Sequence, residues 1–177
     1  TALLQAAFNY EERDQRVLLA KPEIDTKGSD EIVSRLGVTR RVDFVIPPEA
    51  PLRELFAQHA RAETEDALFT PQHVKPVACL LVDESQFLTP AQVDDLLRIA
   101  VLDGVPVLAY GIRTDFRTQA FPGSARLMDL AHTLEELKTI CRCGRKALFN
   151  TRKQGERFVF DGDQVAIDGE EVTYESL

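Results

Sequence analysis

Two adjacent acidic residues, Asp83 and Glu84, directly follow an uninterrupted apolar run at residues 77–82 (V-A-C-L-L-V). A short run of this kind is typical of a strand buried on both faces of a parallel sheet. Open α/β sheets bind ligands beyond the carboxyl ends of their strands, which is where both acids would lie. There an Asp can hold Mg²⁺, directly or through water, and a Glu can polarise an attacking hydroxyl or water. The pattern predicts a Walker B strand.

A simpler interpretation of the same residues is a buried strand followed by the acidic cap of a helix. The next residues, Leu88-Thr89-Pro90, have the composition of a helix start. Both interpretations predict the same buried strand, and they differ in what the acids do.

Residues 111–123 (G-I-R-T-D-F-R-T-Q-A-F-P-G) contain two arginines and two phenylalanines. The segment is polar and bounded by glycine and proline, so we predict a loop. Arginines above a nucleotide site can neutralise a transferring phosphate, and phenylalanines can wall a base pocket. The alternative is a surface loop with solvated charges and two anchoring aromatic rings.

The three cysteines fall into two classes. Cys79 lies inside the apolar run and is predicted to be a small buried hydrophobic residue. Cys141 and Cys143 form a C-x-C-G motif, which is half of a zinc-ribbon site, because tetrahedral zinc needs two further ligands. Such close spacing is poor for a mutual disulfide, and this cysteine usage indicates a reduced, cytosolic setting.

The elements that would position these side chains follow from hydrophobic periodicity. Apolar runs predict strands at residues 16–20, 42–46, 77–82 and 105–110, the last also buried, and helical spacing predicts helices at 1–13, 51–63 and 89–102. Strand 77–82, helix 89–102 and strand 105–110 form a βαβ unit, so the loops after both strands should face one crevice. His59 is predicted to be a partly buried helix residue and not a ligand. From residue 138 onward, short strands broken by glycine turns are expected.

The bulk composition narrows the function classes. A chain of 177 residues with 44% hydrophobic and 28% charged residues can form one domain with a real core and a small appendage. Its net charge of −8 does not favour binding to nucleic acid or to an anionic membrane surface. The sequence has no apolar run long enough to span a bilayer and no signal-peptide pattern.

Several motifs occur in one order along nearly the whole chain. They are T-A-L-L-Q-x-x-x-N-Y from Thr1, E-I-D from Glu23, S-R-L-G from Ser34, L-V-D-E-S-Q-F from Leu81, Y-G-I-R-T-D-F-R from Tyr110, E-L-K-T-I-C-R-C-G-R-K-A from Glu136, Q-V-A-I-D-G from Gln164, and the later Tyr174. In this combination the chain resembles the cellular-type thymidine kinases, which are zinc-containing P-loop deoxynucleoside kinases.

This resemblance implies an α/β fold with two parts. Residues 1–138 would form a P-loop, RecA-like parallel-sheet domain, and residues 139–177 a small zinc-ribbon-like domain with a lasso loop. The family pattern also implies a P-loop immediately before Thr1, a second pair of zinc ligands beginning just after Leu177, and assembly as a homotetramer.

The resemblance further implies the reaction and its participants. A cytoplasmic transferase of nucleotide salvage, which supplies DNA synthesis, would pass the γ-phosphate of ATP to the 5′-hydroxyl of thymidine and give dTMP. Mg²⁺ would accompany ATP, zinc would be structural, and dTTP would act as a feedback inhibitor. The lasso loop, matched by residues 164–174, would bind thymine largely through its backbone, although D-G stands here where the family usually has G-G.

Site residues carry over from the family by position. Glu84 would be the general base. The ATP- and Mg²⁺-binding positions would be Asp83, Glu84, Ser85 and Gln86. The nucleoside-binding positions would be Phe87, Ile112, Phe116, Phe121, Val165, Ala166, Ile167, Gly169 and Tyr174. The zinc ligands would be Cys141 and Cys143.

Two other functions stay open from the sequence. Another P-loop ATPase, such as a helicase-like motor, also ends a strand in D-E, but it needs a second motor domain or a basic track. A non-catalytic zinc-ribbon interaction module would leave the acids at 83–84 and the arginine loop unexplained. Saturable ATP-dependent phosphorylation of a nucleoside separates the kinase from both.

Overall fold

Four parallel strands form the central sheet of the computed structural model, which describes residues 2–24, 31–33, 37, 39–62, 75–162 and 172–177. The strand order is β4-β1-β5-β6. The bounds are β1 Arg16–Pro22, β4 Phe44–Ile46, β5 Val77–Val82 and β6 Val107–Ala109. The strand that carries Asp83 and Glu84 at its end is therefore β5, in the interior of the sheet.

Helices cover both faces of this sheet. Their bounds are α1 Ala2–Glu11, α2 Leu52–Ala62, α3 Pro90–Leu102 and α4 Pro122–Leu130. Side chains of α2 and α3 pack with Leu80 and Val82 in one buried cluster, and side chains of α1 pack with Cys79 and Leu81 in another. Alternate residues of β5 thus enter opposite clusters, which confirms the strand buried on both faces and the buried Cys79.

Two small antiparallel sheets complete the described elements. The first is the hairpin of β2 Glu31–Val33 and β3 Thr39–Arg41, which the sequence did not predict. The second has the order β8-β7-β9, with β7 Asn150–Gln154, β8 Arg157–Val159 and β9 Val172–Ser176. Its strands agree with the short strands expected after residue 138.

The prediction of a second buried strand at residues 105–110 was wrong in length and in burial. The strand β6 spans only Val107–Ala109 and lies at the edge of the four-stranded sheet. An edge strand has one neighbour, so its side chains stay partly open, and Leu108 is 37% exposed. An apolar run alone does not distinguish an edge strand from a central one.

The interpretation of the acids as a helix cap was also wrong. Helix α3 is capped by Thr89, which accepts from the backbone N–H of Gln92 while the Gln92 side chain accepts from the backbone N–H of Thr89. Pro90 occupies the first helical turn. Asp83 and Glu84 therefore precede the cap of α3. Glu84 stands at the N-cap position of a short 3-10 turn, Ser85–Phe87, but its side chain makes no capping hydrogen bond there.

Helix α4 was not predicted, and its first residues, Pro122 and Gly123, belong to the segment expected to be a loop. The other helices lie where periodicity placed them, and β4 begins two residues later than predicted. His59 is partly buried and stacks on Phe44, with ring centroids 4.6 Å apart, which confirms the predicted partly buried helix position. None of the described helices is both long enough and apolar enough to cross a membrane.

Candidate functional site

The chain turns sharply where β5 ends. The backbone N–H of Asp83 still donates to the carbonyl oxygen of Ala20 on β1 at 2.9 Å, so the parallel pairing extends to this residue. Glu84 then adopts a left-handed conformation, with φ 49° and ψ 35°, and a single 3-10 turn, Ser85–Phe87, follows. This conformation costs a non-glycine residue about 1–3 kcal/mol and concentrates at functional sites.

The side chain of Gln86 fixes the orientation of Glu84. Its Nε2 donates to Glu84 Oε2 at 2.5 Å, and its Oε1 accepts from the backbone N–H of Ile112 at 3.3 Å. Gln86 is itself 3% exposed, so the amide is held inside the protein while its partner Glu84 lies at the surface. The amide joins the end of β5 to the loop that follows β6.

The side chain of Ser85 makes a second connection between the same two segments. Its hydroxyl and its backbone N–H both donate to the carbonyl oxygen of Tyr110, at 2.8 and 2.9 Å. Ser85 and Gln86 therefore face into the protein, where they hold two neighbouring strand ends together.

Two glycines allow this close packing, and no sequence pattern indicated their role. A Cβ on Gly111 would lie 2.6 Å from Gln86 Oε1 and 2.8 Å from Ser85 Oγ. A Cβ on Gly123 would lie 2.4 Å from the carbonyl oxygen of Leu88. Only glycine lets α4 and the loop approach the 3-10 turn at these distances.

Burial raises the pKa of both Asp83 and Glu84 above the ordinary carboxyl range. The hydrogen bond from Gln86 partly offsets this effect at Glu84, and the neighbouring Asp83 charge adds to it. Lys21, on the adjacent strand β1, lowers both pKa values through its charge. Glu84 is nevertheless exposed to solvent, so a ligand can reach it.

The aromatic residues that are predicted to contact the nucleoside form two groups. Phe87 and Phe121 meet edge to face, with centroids 5.5 Å apart and planes at 77°. Phe116 is buried and lies under the guanidinium of Arg152, whose Cζ is 3.8 Å from the ring centroid. Arg152 also binds the hydroxyl of Tyr174, and so connects these two predicted positions.

Ile112, whose backbone N–H donates to Gln86, is 40% exposed. Its carbonyl oxygen accepts from the Ser124 hydroxyl at 2.7 Å. The remaining predicted nucleoside positions lie outside the described residues: Val165, Ala166, Ile167 and Gly169.

The loop after β6 is built around Asp115, for which no sequence pattern predicted a role. Its Oδ1 accepts from the backbone N–H groups of Arg117 and Gln119, at 2.8 and 2.9 Å, and its Oδ2 accepts from the Arg117 guanidinium. Burial alone would raise the pKa of Asp115, but these hydrogen bonds outweigh it and lower the pKa. Arg117 also donates to the carbonyl oxygen of Gly162 at 3.1 Å.

The Arg117 contacts bear on the two interpretations of the arginine loop. The guanidinium of Arg117 is committed to Asp115 and Gly162, which favours an anchoring role over phosphate neutralisation. The other arginine of this loop, Arg113, is exposed.

Cys141 and Cys143 form a tight turn suited to holding a metal. The backbone N–H of Cys143 donates to Cys141 Sγ at 3.5 Å, and Gly144, with φ 82°, donates to the Cys141 carbonyl oxygen at 2.9 Å. A backbone hydrogen bond at Arg145 lowers the pKa of Cys143, which favours the thiolate that zinc requires. The donor pair fits half of a zinc site; within the described ranges no three His, Cys, Asp or Glu residues cluster as a metal site.

A family model and three relatives that are similar to this chain carry the same family description. The family model described as thymidine kinase matches residues 1–177. A thymidine kinase from Ruegeria pomeroyi is 43% identical over 179 residues, covering 100% of this chain and 83% of that protein. Thymidine kinases from Rhodopirellula baltica and Idiomarina loihiensis are each 42% identical, and the alignments cover 97% and 96% of this chain and 76% and 82% of theirs.

Proposed function

This chain belongs to the thymidine kinase family, and we propose that Glu84 is the general base with which it phosphorylates thymidine. The enzyme is an ATP:thymidine 5′-phosphotransferase, which passes the γ-phosphoryl group of ATP to the 5′-hydroxyl and gives dTMP and ADP in nucleotide salvage. The observation that supports the base assignment is the carboxyl group of Glu84, held by Gln86 at the end of β5 with a raised pKa.

The raised pKa gives Glu84 the property that a base needs, since proton affinity increases with pKa. Gln86 occupies Oε2, so we assign the incoming proton to Oε1. As the proton of the 5′-hydroxyl passes to Glu84, the 5′-oxygen bonds to the γ-phosphorus. The bond from that phosphorus to the β,γ-bridging oxygen breaks, and ADP leaves with the electron pair.

Asp83 would hold the Mg²⁺ that accompanies ATP, directly or through water. A carboxylate at a strand end is the hard oxygen donor that this ion prefers, and the bound ion neutralises charge on the transferring phosphate. Ser85 and Gln86 support this segment from beneath, because their side chains bind Tyr110, Glu84 and Ile112.

The nucleoside would lie against the loop after β6. Phe87 and Phe121 supply one aromatic wall, Ile112 an exposed apolar side chain, and Phe116 with Tyr174 a second wall. We retain Val165, Ala166, Ile167 and Gly169 as predicted contacts from the family pattern.

The remaining proposals concern the second part of the chain and the assembly. Residues 139–177 would form the zinc-binding domain with its lasso loop, and Cys141 and Cys143 would be two of the four zinc ligands. The tight turn around both thiols and the lowered pKa of Cys143 support zinc binding. A homotetramer, dTTP inhibition and a cytoplasmic location stay predictions of the family resemblance.

The activity is tested by incubating the full-length protein with ATP, Mg²⁺ and thymidine and measuring dTMP and ADP by chromatography. We expect the two products in equal amounts, with a rate that saturates in thymidine. ADP formed without thymidine would indicate an ATPase, and no product under any of these conditions would contradict the kinase.

A further inference from the structure

We propose that Arg152 is a positioning residue for the nucleoside, because its guanidinium holds the Phe116 ring and the Tyr174 hydroxyl in one fixed arrangement. This inference rests on the proposed function, which places the nucleoside beside these two aromatic residues. Arg152 lies on β7, outside every motif that identified the candidate site.

The position of Arg152 is unusual for an arginine, since the residue is only 5% exposed. It lies directly opposite Tyr174 in the antiparallel pairing of β7 with β9, so the two side chains are cross-strand neighbours. Its Nε and Nη2 donate to Tyr174 Oη at 3.1 and 2.9 Å. The strand pairing and the forked guanidinium together restrict where the hydroxyl can lie.

These two bonds also determine what the Tyr174 hydroxyl can offer a ligand. A tyrosine hydroxyl has two acceptor lone pairs and one O–H donor. Both arginine N–H groups use the oxygen as an acceptor, so its own proton points away from Arg152. Tyr174 is 53% exposed, and this proton can therefore be donated to an oxygen of a bound nucleoside.

The same guanidinium stacks on Phe116 at 3.8 Å, and the Arg117 guanidinium lies 5.7 Å from the centroid of that ring. A planar guanidinium over an aromatic face in a desolvated position is a strong form of the cation–π interaction. Phe116 itself is 3% exposed, so its ring has little freedom to reorient.

Further contacts join the Phe116 loop to the three-stranded sheet. Asn150 Nδ2, at the start of β7, donates to the Thr114 carbonyl oxygen at 3.3 Å. Arg117 donates to the Gly162 carbonyl oxygen, and a Cβ on Gly162 would lie 3.5 Å from Arg152 Nη1. Among the residues that make these contacts, Arg152 is the one that contacts both Phe116 and Tyr174, the two predicted nucleoside positions.

The test compares Arg152→Met, Arg152→Lys and Tyr174→Phe with the wild type, each as the full-length protein, by steady-state kinetics. Arg157→Met is the matched control, because Arg157 is an exposed arginine on the neighbouring strand β8. We expect Arg152→Met to raise KM for thymidine about tenfold while KM for ATP stays within about twofold. Arg152→Lys should restore little of the wild-type KM for thymidine, because an ammonium group is not planar and cannot stack on the ring or donate two parallel hydrogen bonds as a guanidinium does.

Tyr174→Phe keeps the ring and removes only the hydroxyl, and it carries the test if Arg152→Met does not fold. It should raise KM for thymidine about three- to tenfold, the usual effect of one lost hydrogen bond. In the double variant Arg152→Met/Tyr174→Phe, the effects of the two substitutions on KM for thymidine should fall short of additivity, because both substitutions remove the contact between Arg152 and the Tyr174 hydroxyl.

Three outcomes would overturn the inference. An unchanged KM for thymidine in Tyr174→Phe and in any folded Arg152 variant would refute the positioning role of Arg152. The proposed kinase activity would stand. An equal rise in KM for thymidine and in KM for ATP, with a lowered melting temperature, would mean that Arg152 only stabilises the fold. A wild-type protein that forms no dTMP would refute both the function and this inference.

Discussion

Gln86 donates a hydrogen bond of 2.5 Å to Glu84 Oε2, so the proposed base is oriented by a side chain only two residues along the chain. The other end of the same amide accepts from the backbone of Ile112, at the start of the loop that carries Phe116 and Phe121. One buried side chain thus sets the spacing between the base and the proposed nucleoside side of the site.

Replacing Gln86 with leucine is expected to move the acid limb of the pH–rate profile to higher pH. The Gln86 hydrogen bond stabilises the Glu84 carboxylate and lowers its pKa, so removing it raises that pKa further. A base must be deprotonated to act, and activity would therefore appear only at higher pH. The measurement is kcat between about pH 4.5 and 9, a range that covers a carboxyl pKa raised above its ordinary value.

The control for this variant is Gln119→Leu, because the Gln119 side chain is exposed in the same loop. Its profile should match that of the wild type. An acid limb that stays in place in Gln86→Leu, or that moves to lower pH, would contradict the role given to this hydrogen bond.

Replacing Gly123 with alanine should destabilise the protein and lower its turnover. The new Cβ would approach the carbonyl oxygens of Leu88 and Gln86 at 2.4 and 2.9 Å, and these are backbone atoms that cannot move independently. Overpacking of this kind typically costs about 1–3 kcal/mol. Urea unfolding monitored by circular dichroism gives the free energy of unfolding.

Met128→Ala, at an exposed position of α4, is the matched control and should change the free energy of unfolding by less than about 0.5 kcal/mol. If Gly123→Ala were as stable as this control, α4 would not pack on the 3-10 turn as closely as described.

Replacing Cys143 with serine should abolish zinc binding by the full-length protein. A structural zinc site needs four ligands, and its loss removes the folding free energy that the metal supplies. We expect about one zinc per chain in the wild type by elemental analysis, none in Cys143→Ser, and retention in Cys79→Ala, whose thiol is buried in the core. Zinc retained in Cys143→Ser would refute the assignment.

The sequence predicted best what depends on neighbours along the chain. The bounds of β5 came directly from its apolar run, and the start of α3 came from the capping and proline signals at Thr89 and Pro90. The C-x-C-G turn was likewise recognisable because all of its backbone contacts are local.

Features that depend on distant contacts were missed. The burial of Arg152 follows from its cross-strand partner Tyr174 and from a ring 36 positions earlier in the chain, which no local pattern reveals. Gly111 and Gly123 look like ordinary loop glycines until the 3-10 turn packs against them. For the same reason β6 looked like a central strand, because an apolar run does not state how many neighbours the strand will have.

The most direct test of the base assignment is the turnover of Glu84→Gln with saturating ATP and thymidine. Glutamine keeps the size of the side chain but cannot accept the proton, so kcat should fall by about 10²–10⁴, with KM for thymidine within about threefold. Glu156→Gln, at an exposed position, should keep wild-type turnover. Near-full turnover in Glu84→Gln with normal thymidine binding would show that Glu84 is not the base.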